Sequence, residues 1–260
     1  MKENSVYVRR ERPTALALAI ALAVTMLVVY VLTLDAIGPD AVESVSAAPR
    51  VTREIEFAEM EGFCVSLGRY DSADQARAEA AAFTDRGAAG RVWESGGRFH
   101  ILGAMYVARR QAERVAETME GGIPAEVVAL HADAVRVRVT APDRQIDLIV
   151  AADGLLRDSA WQLSTIARQL DRGEIQPESA LTLCALSASE ARGLREKLAC
   201  IPGVEGSPLC AALMGALDQT AQRLEDIRNA PGGAALPGLV RLAAIDTFID
   251  LMALQEGLTR

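Results

Sequence analysis

The sequence predicts an α+β protein: a βαββαβ module, a C-terminal helical bundle behind it and a transmembrane helix in front. Three observations carry this reading. The first is an internal repeat. Phe63-Cys64-Val65-Ser66-Leu67-Gly68-Arg69-Tyr70 is matched by Phe99-His100-Ile101-Leu102-Gly103-Ala104-Met105-Tyr106, at an offset of 36 residues. The same offset carries Gln75-Ala76 onto Gln111-Ala112, Phe83 onto Met119, Ala89 onto Ala125 and Val92 onto Val128. A repeat of this kind means that one supersecondary unit is used twice. The second is a run of 21 residues, Thr14–Leu34, without a charge. The third is a series of helical apolar stripes from Ile146 to the C-terminus.

Composition narrows the function classes. Half of the 260 residues are hydrophobic but only 4% are aromatic, a balance carried by Ala and Leu that favours helices over β-sandwiches. A net charge of −8 argues against nucleic-acid binding. The four cysteines, Cys64, Cys184, Cys200 and Cys210, form no CxxC pair, and the only histidines are His100 and His131. No metal or cofactor site is therefore expected. No paired carboxylates, nucleophile elbow or phosphate loop is visible, so no catalytic residue is assigned and the chain is not expected to be an enzyme.

In chain order, residues 1–13 form a short tail with Lys2, Arg9, Arg10 and Arg12 against Glu3 and Glu11. Residues 14–34, as a helix, span roughly 31 Å, about one hydrocarbon core. Basic residues on the N-terminal flank put the tail in the cytoplasm and the C-terminal bulk outside. A cleaved signal peptide is the rival reading. Its apolar region is normally shorter, and the one passable site, Val45-Ser46-Ala47, lies well downstream. Residues 35–61, with Gly38, Pro39 and Pro49 and no sustained period, read as a linker able to hold a domain away from the membrane.

The repeat domain is expected over 62–140. Phe63, Val65 and Leu67 alternate with Cys64 and Ser66, the period-2 mark of a half-buried strand. Ser72 or Asp71 caps a helix with Ala76, Ala80 and Phe83 inward, stopped by Gly87. Arg91–Glu94 is a second strand, and Gly96-Gly97 a tight hairpin. In the third strand Phe99, Ile101 and Gly103 point one way, His100 and Leu102 the other. A second helix, Ala108–Glu120, turns Ala112, Val115, Ala116 and Met119 inward, and Ala125–Leu130 is the fourth strand. Paired in this order, the elements form a four-stranded antiparallel sheet with both helices on one face, the ferredoxin-like arrangement. Val135, Val137 and Val139 form either an added edge strand or an extension of the fourth.

The bundle is expected over 141–260. Thr140-Ala-Pro-Asp143 reads as a capping box opening a helix from Ala141 to Arg172. Pro177–Leu186 reads as a short helix, and Ser187-x-x-Glu190 as the cap of another reaching Cys200. Ser207-Pro208 and Pro237 open the last two. Outside the membrane a disulfide among Cys184, Cys200 and Cys210 is chemically allowed, as are buried thiols. Cys64 faces away from Phe63 and Val65 and is expected to be accessible.

With the repeat laid out, the first strand resembles the opening strand of SPOR (sporulation-related repeat) domains, aromatic-x-Val-Gln-Val-Gly-Ser-Phe. Phe99–Tyr106 resembles that family's aromatic-Arg-Val-x-x-Gly-Pro-Phe strand, and Asp74-Gln75-Ala76 and Arg110-Gln111-Ala112 are similar to its helix openings. The likeness covers Glu61 to about Leu130. It implies an extracytoplasmic, single-pass protein of the cell envelope that binds peptidoglycan glycan strands on the sheet face opposite the helices, at a cell-division or sporulation septum. Carried over, the family's Gln falls on Ser66, its Ser after Gly on Arg69, and its third-strand Arg on His100. The position just before that strand falls on Arg98, and Leu102 shares the face. Ser66 lacks the amide of Gln, and Ala104-Met105 replaces Gly-Pro. On the residues alone this face reads first as an ordinary solvated one, and only the resemblance brings the glycan reading level with it. Trp93 is either a stacking platform or a half-buried strand residue, and His131 is expected to be exposed. The alternative function is a protein–protein scaffold in an envelope or sporulation complex, without glycan binding, its partners gathered by the bundle. A soluble sensor of small ligands is disfavoured by the anchor.

Overall fold

The computed structural model describes residues 49–119, 124–230 and 235–259. The expected cytoplasmic tail, membrane span and most of the linker lie outside them. Among the described residues no helix is long and apolar enough to cross a membrane.

The described residues form, in order, β1 (Arg50–Phe57), β2 (Met60–Tyr70), α1 (Ala73–Thr84), β3 (Arg91–Ser95), β4 (Arg98–Tyr106), α2 (Arg109–Thr118), β5 (Glu126–Ala132), β6 (Val135–Pro142), α3 (Asp143–Asp171), α4 (Pro177–Ala199), α5 (Pro208–Asn229) and α6 (Leu236–Leu258). A four-stranded sheet has the order β3-β4-β2-β5, with every neighbouring pair antiparallel. The repeat is visible in its centre. Phe63 faces Tyr106 and Tyr70 faces Phe99, so the two copies of the strand lie side by side about a local pseudo-dyad. The Ser72 hydroxyl caps α1 by accepting from the Gln75 N–H, and α1 packs Ala76 and Ala80 onto Ile101. On the same sheet face α2 packs Ala112 with Phe63, Val65, Leu67 and Tyr106.

The linker expected to reach Glu61 is shorter. Arg50–Phe57 is a strand, because the buried Ile55 and Phe57 find partners far along the chain, Val137 and Val135. β1 pairs with β6 and not with its chain neighbour. The register of that ladder continues the one beside it: Arg50 faces Pro142, Phe57 faces Val135, Met60 faces Ala132 and Ser66 faces Glu126. β6 thus prolongs β5, and β1 prolongs β2. Thr140 lies within β6, paired with Thr52, and caps nothing. Its hydroxyl meets that of Thr52 at 2.9 Å, and α3 starts behind Pro142 with no side-chain cap.

Helices α3 to α6 form an antiparallel bundle in which each packs on the next and α6 closes back onto α3. The short connections between them enforce neighbouring, alternating directions. The break expected near Ser187 does not occur. Ala180, Cys184, Ala188 and Ala191 carry one buried stripe through the whole of α4, and neither Gly nor Pro interrupts it before Gly193. The Ser207 hydroxyl caps α5 by accepting from the Cys210 N–H.

The bundle lies on the sheet. Cys64, Leu102, Met105, Val128 and Leu130 share one hydrophobic core with Leu156, Leu163, Ile245 and Phe248. Ser164 donates to the Met105 carbonyl at 2.6 Å, and Gln255 donates to the carbonyls of Phe57 and Ala58. Sheet and bundle belong to one compact unit. The sheet is therefore the middle of three layers, with α1 and α2 on one face and α3 and α6 on the other.

Close approach explains one glycine. A Cβ on Gly238 of α6 would lie 2.9 Å from the Ala88 carbonyl oxygen, in the loop after α1. Gly215, in the middle of α5, has nothing within 4 Å of that position. Ala is favoured over Gly inside a helix by about 1 kcal/mol. Gly215→Ala should therefore raise the midpoint of thermal unfolding, and Gly238→Ala should lower it, in calorimetry on the full chain.

Candidate functional site

The five residues expected to hold a ligand divide into two groups. Ser66 and Leu102 are fully buried and His100 is 7% exposed, whereas Arg69 and Arg98 are exposed. The face opposite the helices does carry Ser66, His100 and Leu102, but it is covered by the bundle. Leu102 belongs to the shared core, and no sugar reaches it while the bundle is seated. Cys64 is corrected in the same way. It points away from Phe63 and Val65, as expected, yet it is buried in the core between sheet and bundle, and burial pushes its thiol far above the ordinary range. Cys184 and Cys210 are also buried thiols, the former pushed up to about 11 by burial, and all four cysteines are free.

Four adjacent strands bring a polar row to one end of the sheet. Glu126 on β5 faces Ser66 on β2, while His100 on β4 stands between Arg69 on β2 and Trp93 on β3. The register of β2 against β4 slips on either side of Ser66, and the Ser66 hydroxyl donates to the Gly68 carbonyl at 3.0 Å within that irregularity. His100 Nδ1 lies 3.3 Å from Ser66 Oγ and 3.2 Å from Glu126 Oε1. One Nδ1–H shared between these two acceptors satisfies both.

A serine, a histidine and a carboxylate within hydrogen-bond reach invite comparison with a nucleophilic triad. The geometry is different in kind. A relay needs the serine on one ring nitrogen and the acid on the other, whereas here both address Nδ1. The serine hydroxyl is buried and already donates to a backbone carbonyl. The trio is a closed polar network at the sheet margin, with Glu126 as its half-exposed outer member.

Arg98 forms an exposed ion pair with Asp71, at the turn into α1. Arg69 makes no ion pair among the described residues. Trp93 is half-buried and packs against the shared core, which is the strand-residue reading and not an open stacking platform. His131 is exposed and bonds Asp133 at 3.0 Å. That hydrogen bond, with Glu59 and Glu61 nearby, raises its pKa. Sequence reasoning missed Glu126, which lies in no repeat motif and acquires its role only through the β2–β5 register.

A second feature lies along the outer edge of β3. A cleft of about 590 Å³ is walled by Ala73, Arg77 and Thr84 of α1 on one side and by Leu242 and Asp246 of α6 on the other, with Val92 and Glu94 at its base. Asp246 sits between Arg91, at 3.1 Å, and Arg223, at 3.9 Å, and Arg223 also reaches Asp250 at 2.6 Å. Burial raises the Asp246 carboxyl above its usual range, and the two guanidiniums only partly offset this. Among the described residues no group of three or more His, Cys, Asp or Glu side chains is arranged to hold a metal ion. Comparison with family models, with curated proteins and with solved structures returns no match.

Proposed function

We propose that the chain is a single-pass protein of the bacterial envelope, anchored through Thr14–Leu34, whose extracytoplasmic ferredoxin-like domain is a non-enzymatic protein–protein scaffold of a division or sporulation complex. The observation that carries this over glycan binding is the seal on the sheet. The face on which the SPOR resemblance would seat a glycan strand is the floor of the protein's own core, with Leu102 in the core shared with the bundle and Ser66 fully buried at the sheet margin. An interface apolar at its centre and pinned by Ser164 and Gln255 behaves as a permanent layer of the domain. The strand order β3-β4-β2-β5 supports the ferredoxin-like assignment, and the uncharged run and basic flank support the tether.

A narrower second reading keeps glycan as the ligand. It rests on Arg69 and Arg98, which stay exposed at the end of the sheet. Guanidiniums on an open rim offer hydrogen bonds to sugar hydroxyls, but with little apolar surface for stacking.

Sedimentation of the full chain, in detergent, with purified sacculi separates the two. The scaffold reading expects the protein to stay in the supernatant with both untreated and amidase-treated sacculi. Sedimentation that is lost in Arg69→Ala/Arg98→Ala would overturn it and establish the rim as the glycan site.

A further inference from the structure

We infer that the outer edge of β3 is a docking site for an extended peptide segment that places an apolar side chain beside Val92 and a basic one beside Glu94. The argument begins with the hairpin. Ser95 and Arg98 close a two-residue turn whose central residues, Gly96 and Gly97, both have positive φ, at 58° and 74°. That turn makes Ser95–Arg98 a hydrogen-bonded pair. Because such pairs alternate along an antiparallel ladder, Trp93–His100 and Arg91–Leu102 are hydrogen-bonded as well. The N–H and C=O groups of Val92 and Glu94 therefore point away from β4. β3 is the last strand of its sheet, and no turn or loop hydrogen bond among the described residues takes up these four groups. An open edge of this kind is a template for a further strand.

The space beside the edge fits that guest. The cleft runs along Val92 and Glu94, and it has a wall in each of the two outer layers, α1 and α6. A strand added there has a helix wall on each face. Its backbone gains bonds at Val92 and Glu94 while its side chains meet Ala73 and Phe99 on one side and Leu242 on the other.

Charge selects the occupant. The two arginines lining the cleft are already engaged, Arg77 by Asp74 at 2.8 Å and Arg91 by Asp246 at 3.1 Å. Glu94 is exposed and forms no ion pair among the described residues. The charge left free along the edge is negative. Opposite charges directly across a ladder stabilise pairing and like charges oppose it, so the guest carries Lys or Arg across from Glu94 and an apolar residue two positions away, across from Val92.

This inference rests on the scaffold reading and gives it a contact surface distinct from the sealed sheet face. The test is fluorescence anisotropy of the labelled peptide acetyl-Thr-Lys-Thr-Val-Thr-amide with the full chain in detergent micelles. Saturable binding is expected, with about tenfold weaker binding when Glu replaces the peptide's Lys. In the protein, Val92→Pro removes an N–H that faces outward and leaves the β4 ladder untouched. It should abolish binding with an unchanged circular dichroism spectrum. Glu94→Lys should invert the preference between the two peptides. Absence of saturable binding, a Val92→Pro protein that binds as before, or an unchanged preference in Glu94→Lys would each overturn the inference. Peptide binding together with sacculus sedimentation would overturn the scaffold reading and leave the edge standing. Failure of peptide binding with sacculi also unbound would remove the edge alone.

Discussion

Phe248→Ala is expected to destabilise sheet and bundle together, by about 3–5 kcal/mol, the range for deleting a buried aromatic ring. For a unit of this size that lowers the midpoint of thermal unfolding by roughly 6–20 °C. The ring is fully buried on α6 and meets Trp161 of α3 edge to face, with centroids 5.3 Å apart and planes at 67°. On its other side lies the backbone of Gly62 in β2, where a Cβ would come within 3.1 Å of the ring. One side chain thus fills the joint among two bundle helices and the central strand. Its removal leaves a cavity that neither layer closes alone. Far-ultraviolet circular dichroism should report all helices and strands, and the near-ultraviolet signal should follow Trp161. The two melts of the full chain should coincide before and after the substitution. Two separated transitions, one of them unmoved by Phe248→Ala, would show that sheet and bundle are independent domains.

The same joint explains what the sequence could and could not reveal. The strands and helices of the repeat were legible because their signals are local. Phe63, Val65 and Leu67 alternate, Ser72 caps, Gly87 stops, and Gly96-Gly97 turns. Each of these acts through neighbouring residues. The long helix α3 was legible because its apolar positions recur over many turns. β1 was not, because its two buried side chains, Ile55 and Phe57, follow a polar stretch and are explained only by β6 and the bundle helices that cover them. The split read into α4 came from Ser187, a good capping residue by composition, but the buried stripe runs unbroken past it from Cys184 to Ala188 and decides against a cap. The candidate site was legible only in part, for a related reason. Alternation separates the two faces of a strand, and it placed His100, Ser66 and Leu102 correctly on the face away from α1 and α2. Alternation does not say whether that second face meets water. Cys64, Leu102 and Met105 are a larger apolar load than a solvated face needs, and Val128 and Leu130 on β5 add to it. That load was the available signal that another layer covers the sheet.

Separating the layers is expected to have the larger effect. A fragment covering residues 49–142 keeps the whole sheet with α1 and α2 but loses every helix that covers the opposite face. Met60, Cys64, Leu102, Met105, Val128 and Leu130 become solvent-facing, and Ile55 and Phe57 of β1 and Val135 of β6 lose their cover as well. Burial of one large apolar side chain is worth about 1.5–3 kcal/mol, while a whole domain is stable by only about 5–15 kcal/mol. Uncovering this many such groups removes more than the fragment has to lose. The fragment should unfold without a cooperative transition, bind a hydrophobic dye and self-associate, as judged by thermal melts, dye fluorescence and sedimentation velocity. Residues 49–260 should melt in a single step. The comparison bears directly on function, because a domain built to lay glycan on that face must hold its sheet without the bundle. A monomeric, cooperatively folded fragment that sediments with sacculi would mean that α3 and α6 mask a working glycan surface. A fragment that collapses means that the surface never existed as one. Partners then meet this chain at its outer layers and its open strand edge.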